Sequence, residues 1–201
     1  VVRCFEDENI IHVDGSIDPR RDIEVIDLEL ILADLETVER RTEKARHLLK
    51  NGDKLRALEA DVGERLKAHL EAGKPARTCP VTDEEKEVLD GWFLLTDKPV
   101  IYVANIAEDA LDGIDTNPLV RTVRDIARQE HAECVAISAQ IEEEIAGMEA
   151  DERAMFLEEL GIAESGLDRL IQCSYTLLGL ISFLTYGEDE CRAWTIVKGT
   201  K

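Results

Sequence analysis

Apolar and polar positions alternate along this chain in patterns that separate helical from extended stretches. Val1-Val2-Arg3-Cys4-Phe5 reads as a strand, and a turn-rich segment with Asp14-Gly15 and Asp18-Pro19 follows it. Asp22 stands where a helix cap belongs, and Ile23, Ile26, Leu30, Leu35, Val38 and Ala45 keep helical spacing to about Leu49. Asn51-Gly52-Asp53 stops that helix. A second helix is predicted on Leu55, Leu58, Val62, Leu66, His69 and Leu70, ending at Gly73-Lys74-Pro75. Two long helices across a short turn predict an antiparallel hairpin of coiled-coil type.

The second half changes period. Thr82 and Glu85 form a capping box before a short helix that ends near Gly91-Trp92. Pro99-Val100-Ile101-Tyr102-Val103-Ala104 is a continuous apolar run, the mark of a strand buried on both faces. Asn117 as cap and Pro118 at the first position open a helix to about Glu130, and Cys134-Val135-Ala136-Ile137 is a second buried strand. Strand, helix and strand at this spacing predict a right-handed βαβ unit in a parallel sheet. Two more helices are expected at Asp151–Leu160 and Ser165–Tyr186, the latter opened by a box from Ser165 to Asp168. A last strand, Cys191–Val197, stands without a neighbour, as does the first, so the chain is expected to be a piece of something longer. No internal repeat or low-complexity tract occurs.

Composition narrows the function. The 201 residues carry 24 Lys and Arg against 44 Asp and Glu, a formal charge of −20, which argues against a bulk nucleic-acid or anionic-membrane binder. The charge is uneven: from Arg40 to Arg77 eleven basic residues face six acidic ones. That stretch reads either as a solvated helical surface or as an electrostatic contact for RNA or another acidic partner, with Arg40, Arg41, Lys44, Arg46, Lys50, Lys54 and Arg56 as its candidates. The five cysteines are odd in number, scattered and without a C-x-x-C pair, and the four histidines lack metal-ligand spacing. A reducing cytoplasm fits this usage best, and the longest apolar run, Tyr175–Tyr186, is too short to span a bilayer.

Chemistry is sought at the carboxyl ends of the parallel strands, where open α/β sheets bind ligands. Asn105-Ile106-Ala107-Glu108 follows the first buried strand and Ser138-Ala139-Gln140 the second. An amide and a carboxylate three residues apart can meet the edge of a purine, and a Ser-Ala turn entering a helix can offer backbone N–H groups to the same base. Glu142-Glu143-Glu144 reads instead as decoration of an exposed helix face, and Cys173 as a packed small hydrophobe. Trp92, Phe93 and Trp194 read as core or interface residues.

Several stretches stand together along the chain: Val1-Val2-Arg3-Cys4-Phe5 with His12-Val13 and Ile17-Asp18-Pro19, and Asp27-Leu28-Glu29-Leu30 through Ala33-Asp34-Leu35-Glu36. Lys98-Pro99 through Asn105, Phe183-Leu184-Thr185-Tyr186-Gly187 and Arg192-Ala193-Trp194-Thr195 complete the set. On these stretches, over essentially its whole length, the chain resembles the Obg-like ATPase family (YchF type), a translation-factor branch of P-loop NTPases. The resemblance implies an α/β fold: the C-terminal half of a P-loop G domain, a parallel sheet with flanking helices, interrupted by an inserted antiparallel coiled-coil hairpin. Residues 1–21 and 81–188 would be G domain, 22–80 the insertion and 189–201 the start of a TGS domain.

The resemblance further implies a cytoplasmic, monomeric parent that hydrolyses ATP, or GTP, with Mg²⁺ and acts on the ribosome, with no membrane partner. Asn105 and Glu108 match the base-specificity element that true GTPases write N-K-x-D, Ile106 replaces its Lys, and Ser138-Ala139 match the second base-contact motif. A Glu is one methylene longer than the Asp that clamps two guanine donors, so the resemblance implies that ATP is accepted at least as well as GTP. No G-x-x-x-x-G-K-[ST] and no D-x-x-G occur, so the phosphate loop and the Mg²⁺ ligands are expected outside this chain. The rival readings are a coiled-coil interaction module indifferent to nucleotide, and a true GTPase.

Overall fold

The computed structural model describes residues 1–7, 15–49 and 53–200. The Asn51-Gly52 turn, Lys50 and the His12-Val13 and Asp14 positions lie outside them. The chain forms two compact units: one joins Val1–Arg20 to Val100–Lys201, the other is Arg21–Pro99.

The helical unit is built on α1 (Pro19–Leu48) and α2 (Lys54–Glu71). The helix starts three residues before Asp22: Asp18 Oδ1 accepts the Arg20 N–H at 3.1 Å and Pro19 occupies the first turn. Proline suits that place because its missing N–H would be unpaired there anyway. The buried face also differs from the predicted stripe. Ile23, Ile31, Asp34, Val38, Thr42 and Ala45 are buried, whereas Ile26 is 53% exposed, because the true stripe runs in steps of three and four through positions 31, 34, 38, 42 and 45.

Asp53 caps α2 by accepting the Arg56 N–H, and the helix ends in a Schellman turn with Gly73 at φ +73°. There Gly73 N–H reaches Leu70 O and Lys74 N–H reaches His69 O. Ion pairs Arg46–Glu64 (2.9 Å) and Lys67–Glu39 (2.7 Å) run in opposite chain directions and establish that α1 and α2 are antiparallel. Between them Gly63 lies so close to Thr42 that a Cβ there would stand 2.1 Å from Oγ1.

The core of this unit joins Ile31, Val38, Val62, Leu66 and Leu70 to Leu89, Trp92 and Leu94. α3 (Asp83–Asp90) carries the predicted box: Thr82 N–H donates to Glu85 Oε2 at 2.8 Å and Glu85 N–H to Thr82 Oγ1 at 3.4 Å. Arg65 reaches the same Glu85 oxygen at 2.9 Å. Asp34 fastens the returning chain, accepting from Leu95 N–H, Thr96 N–H and the Thr96 hydroxyl, each at 2.7 Å. Compactness therefore carries the helical unit past residue 80 to Pro99.

The other unit holds a parallel sheet in the order β1 (Val2–Arg3), β2 (Ile101–Asn105), β3 (Glu133–Ile137). Val2 pairs with Ala104 and Arg3 with Asn105, while β2 and β3 pair from Ile101↔Glu133 to Asn105↔Ile137. α4 (Pro118–Gln129), capped by Asn117, supplies the crossover and buries Val120, Val123 and Ile126. α5 (Ala139–Ala146), α6 (Ala150–Glu159) and α7 (Gly166–Leu177) follow. Only half of the Ser165 box forms: Ser165 Oγ accepts the Asp168 N–H at 3.1 Å, but the shorter Asp carboxylate turns to the Ser165 hydroxyl and to Arg153.

The predicted helix to Tyr186 is corrected. α7 stops at Leu177, Gly179 turns the chain with φ +61°, and β4 (Leu180–Tyr186) pairs antiparallel with β5 (Cys191–Val197). Residues such as Ile181, Phe183 and Thr185 favour extended backbone, and a pairing partner was available eleven residues on. The last strand thus has a neighbour after all.

Candidate functional site: the carboxyl edge of the parallel sheet

The register sets Arg3, Asn105 and Ile137 side by side, so the segments leaving all three strands emerge at one edge. They enclose a cleft of about 830 Å³ lined by Phe5, Asn105, Ile106, Glu108, Ala139 and Gln140, with Glu6, Asp7, Asp109 and Glu143 adding acidic groups. No Lys or Arg lines it among the described residues.

Asn105 is braced on all sides. Its carbonyl accepts the Cys4 N–H at 2.7 Å, the next N–H, on Ile106, reaches Ile137 O at 2.9 Å, and its side-chain Oδ1 accepts the Ala139 N–H at 3.0 Å. The last bond does the capping that Ser138 omits, since Ser138 makes no side-chain cap bond to α5. With Oδ1 engaged, the Nδ2 hydrogens of Asn105 remain as donors. Glu108 opens a 3₁₀ turn, Glu108–Gly113, and its Oε2 accepts from Gln140 Nε2 at 3.4 Å.

Of the five residues expected at the base, four line this cleft: Asn105, Ile106, Glu108 and Ala139. Ile106 is only 2% exposed, so it contributes a buried floor rather than an open stacking surface. Ser138 lines a second, smaller cavity of about 220 Å³ with Ile137, Glu142 and Ser165. Its hydroxyl is buried without a hydrogen-bond partner among the described residues.

Two contributors escaped the sequence reading. Phe5 follows β1, and Arg3 fixes it by donating to Phe5 O at 3.0 Å while its guanidinium lies 5.0 Å from the ring centre. The signal existed: the rule that selects residues after β2 and β3 selects Phe5 after β1 equally. Gln140 was noticed only as a neighbour of Ala139. Glu142 is also more than surface decoration, for its Oε1 accepts the Gly166 N–H at 2.7 Å. A Cβ on Gly166 would stand 2.4 Å from the Ile137 side chain, so the start of α7 lies directly on the end of β3.

On the helical unit, Arg40, Arg41, Lys44 and Lys54 are exposed and have no ion-pair partner among the described residues. Arg46 and Arg56 are engaged by Glu64 and Glu59.

The ribosome-binding ATPase YchF of Bacillus subtilis is 50% identical over 201 residues, all of this chain and 55% of the relative. The homologues of this chain are the YchF ATPases. The YchF of Escherichia coli O157:H7 is 43% identical over 199 residues, and that of Mycoplasma genitalium 38% over 202, each covering 99% of this chain and 54% of the relative. Among solved structures, the Schizosaccharomyces pombe YchF GTPase superposes with a TM-score of 0.84 at 32% identity, covering 100% of this chain and 55% of that one. No protein-family profile matches. The chain spans about half the length of the curated YchF relatives it matches. The α/β fold with its parallel sheet is that of the YchF structure, a P-loop GTPase fold.

Proposed function

We propose that the protein containing this chain binds and hydrolyses ATP, and that this chain supplies the half of the site that holds the base. The observation that carries the reading is the brace from Asn105 Oδ1 to the Ala139 N–H, which joins the ends of two parallel strands and leaves the Nδ2 donors of a cleft-lining residue for a ligand. In this reading Asn105 Nδ2 donates to a ring nitrogen of the purine, while Phe5 lines an apolar face and Ile106 forms the buried floor of the cleft. Ala139 N–H is held by Asn105 and Glu108 is one methylene longer than Asp, so the groups that would favour guanine are weakened. The names of the relatives, ATPases in bacteria and a GTPase in yeast, support a purine nucleoside triphosphate.

Among the described residues no group of His, Cys, Asp or Glu could hold a metal ion. The cleft residues do not fit a magnesium site. Mg²⁺ with ATP belongs to the phosphate end of the parent, along with hydrolysis. The α1–α2 pair is read as the inserted coiled-coil domain within a G domain, and residues 189–201 as the start of a TGS domain. The cations of that pair at Arg40, Arg41, Lys44 and Lys54, without ion-pair partners among the described residues, are read as the contact to ribosomal RNA, and a cytoplasmic location goes with that reading. Among the described residues no helix is long and apolar enough to cross a membrane.

Calorimetric titration of the intact parent tests the base site. Asn105→Asp keeps an oxygen for Ala139 but removes the Nδ2 donors, and ATP affinity should fall about tenfold or more, the loss of one buried hydrogen bond. Unchanged affinity would remove Asn105 from the site.

A further inference from the structure

We propose that Gln140 excludes guanine from the cleft by holding the Glu108 carboxylate in an internal hydrogen bond. The inference rests on the reading of this cleft as the base site and adds what makes that site choose. Gln140 is the second residue of α5, and its Nε2 lies 3.4 Å from Glu108 Oε2 and 3.4 Å from Glu144 Oε1. Two carboxylates can only accept, so they fix which end of the amide faces them: nitrogen inward between the acids. Glu144 stands one helical turn beyond Gln140 and accepts from the same amide nitrogen.

The chemistry of the two purines makes this bond a selector. Guanine presents N1–H and N2–H donors, for which a free carboxylate is the natural acceptor. Adenine presents an acceptor at N1, which repels a free carboxylate, beside a single amine donor at N6. An unrestrained Glu108 would therefore help GTP far more than ATP. Glutamate cannot reproduce the two-pronged reach of aspartate, but a mobile one can swing to accept a single guanine donor. Held by Gln140, it is withdrawn from the base edge. Gln140 touches neither nucleotide in this account and acts through Glu108, so it is a positioning residue. Its exposure makes it replaceable without a cost to folding.

The test is nucleotide affinity in the intact parent protein, measured by calorimetry with ATP and GTP for four forms: the natural protein, Gln140→Met, Gln140→Met with Glu108→Gln, and Asn105→Asp. Methionine keeps the length of the side chain and removes the amide. Gln140→Met should tighten GTP about tenfold and leave ATP within about threefold, the scale of one charge-assisted hydrogen bond. Adding Glu108→Gln should cancel most of the gain, because the negative charge that strengthens the bond to guanine is gone and only a neutral amide oxygen remains. A GTP affinity unchanged by Gln140→Met overturns the proposal, as does a gain that Glu108→Gln leaves mostly intact. If those results come while Asn105→Asp still weakens both nucleotides, the base site stands and only the selector fails. If Asn105→Asp weakens neither, the base site itself is wrong and the proposal falls with it.

Discussion

Asp34 offers the sharpest test of how the helical unit is held together. Its carboxylate is 2% exposed and accepts three hydrogen bonds, from Leu95 N–H on Oδ1 and from Thr96 N–H and hydroxyl on Oδ2. The Thr96 hydroxyl in turn accepts the Ala76 N–H at 2.8 Å, so one side chain of α1 governs both the turn after α2 and the segment after α3. Asp34→Ala strands two backbone N–H groups, at about 1–3 kcal/mol each, and relief from burying the charge offsets part of that. A net loss of about 3 kcal/mol is expected. Asp34→Asn can keep an oxygen at the Thr96 side but turns an amide nitrogen toward Leu95 N–H, so its loss should be about half as large. Urea unfolding of the chain, followed by Trp92 fluorescence in a Trp194→Phe background, reads this directly because Trp92 lies in the same core. With a slope of about 2 kcal/mol/M the midpoint for Asp34→Ala should fall by about 1.5 M. A loss under about 1 kcal/mol, or an Asn variant no better than Ala, would refute the assignment of these bonds as the clasp.

Three further outcomes follow from the same geometry. Gly63→Ala should destabilise the α1–α2 pair by about 1–3 kcal/mol through the clash with Thr42 Oγ1, and Thr42→Ala should restore part of the loss in a double-mutant cycle. Thr82 N–H, and then Arg65, hold the Glu85 carboxyl below its ordinary range. Its contribution to stability is therefore full above about pH 4.3 and lost as pH falls through the lowered value, so Glu85→Gln should be less stable than the natural protein at pH 7 and nearly equal to it in strong acid. Neutralising Arg40, Arg41, Lys44 and Lys54 should weaken ribosome or RNA binding by the parent and flatten its salt dependence, by close to one unit of log–log slope for each phosphate no longer neutralised. An unchanged slope would return these residues to a solvated helix face.

Much of the fold was legible because local and tertiary signals agreed. Asn117-Pro118, the Thr82–Glu85 box and the apolar runs at 101–104 and 134–137 each name their element by a mechanism that tertiary packing does not overrule. The readings failed where the deciding partner was distant in sequence. Asp34 and Thr42 sit on the buried face of α1, polar residues that only Thr96 and Gly63 explain. Ile181, Phe183 and Thr185 continued the helical apolar pattern until β5 supplied a ladder for them. At the site, Asn105, Glu108 and Ala139 were marked by their places after parallel strands. Gln140 shared that place without a role, since an exposed amide at the start of a helix carries no chemical signal until Glu108 is seen beside it.

The central claim, that the base of the nucleotide lies at this sheet edge, is tested most directly by photolabelling the intact protein with 2-azido-ATP and mapping the modified peptides. The account predicts labels in the segments 5–7, 105–109 and 139–143, suppressed by excess ATP and diminished in Asn105→Asp. Labels confined to other segments, and indifferent to Asn105, would contradict it.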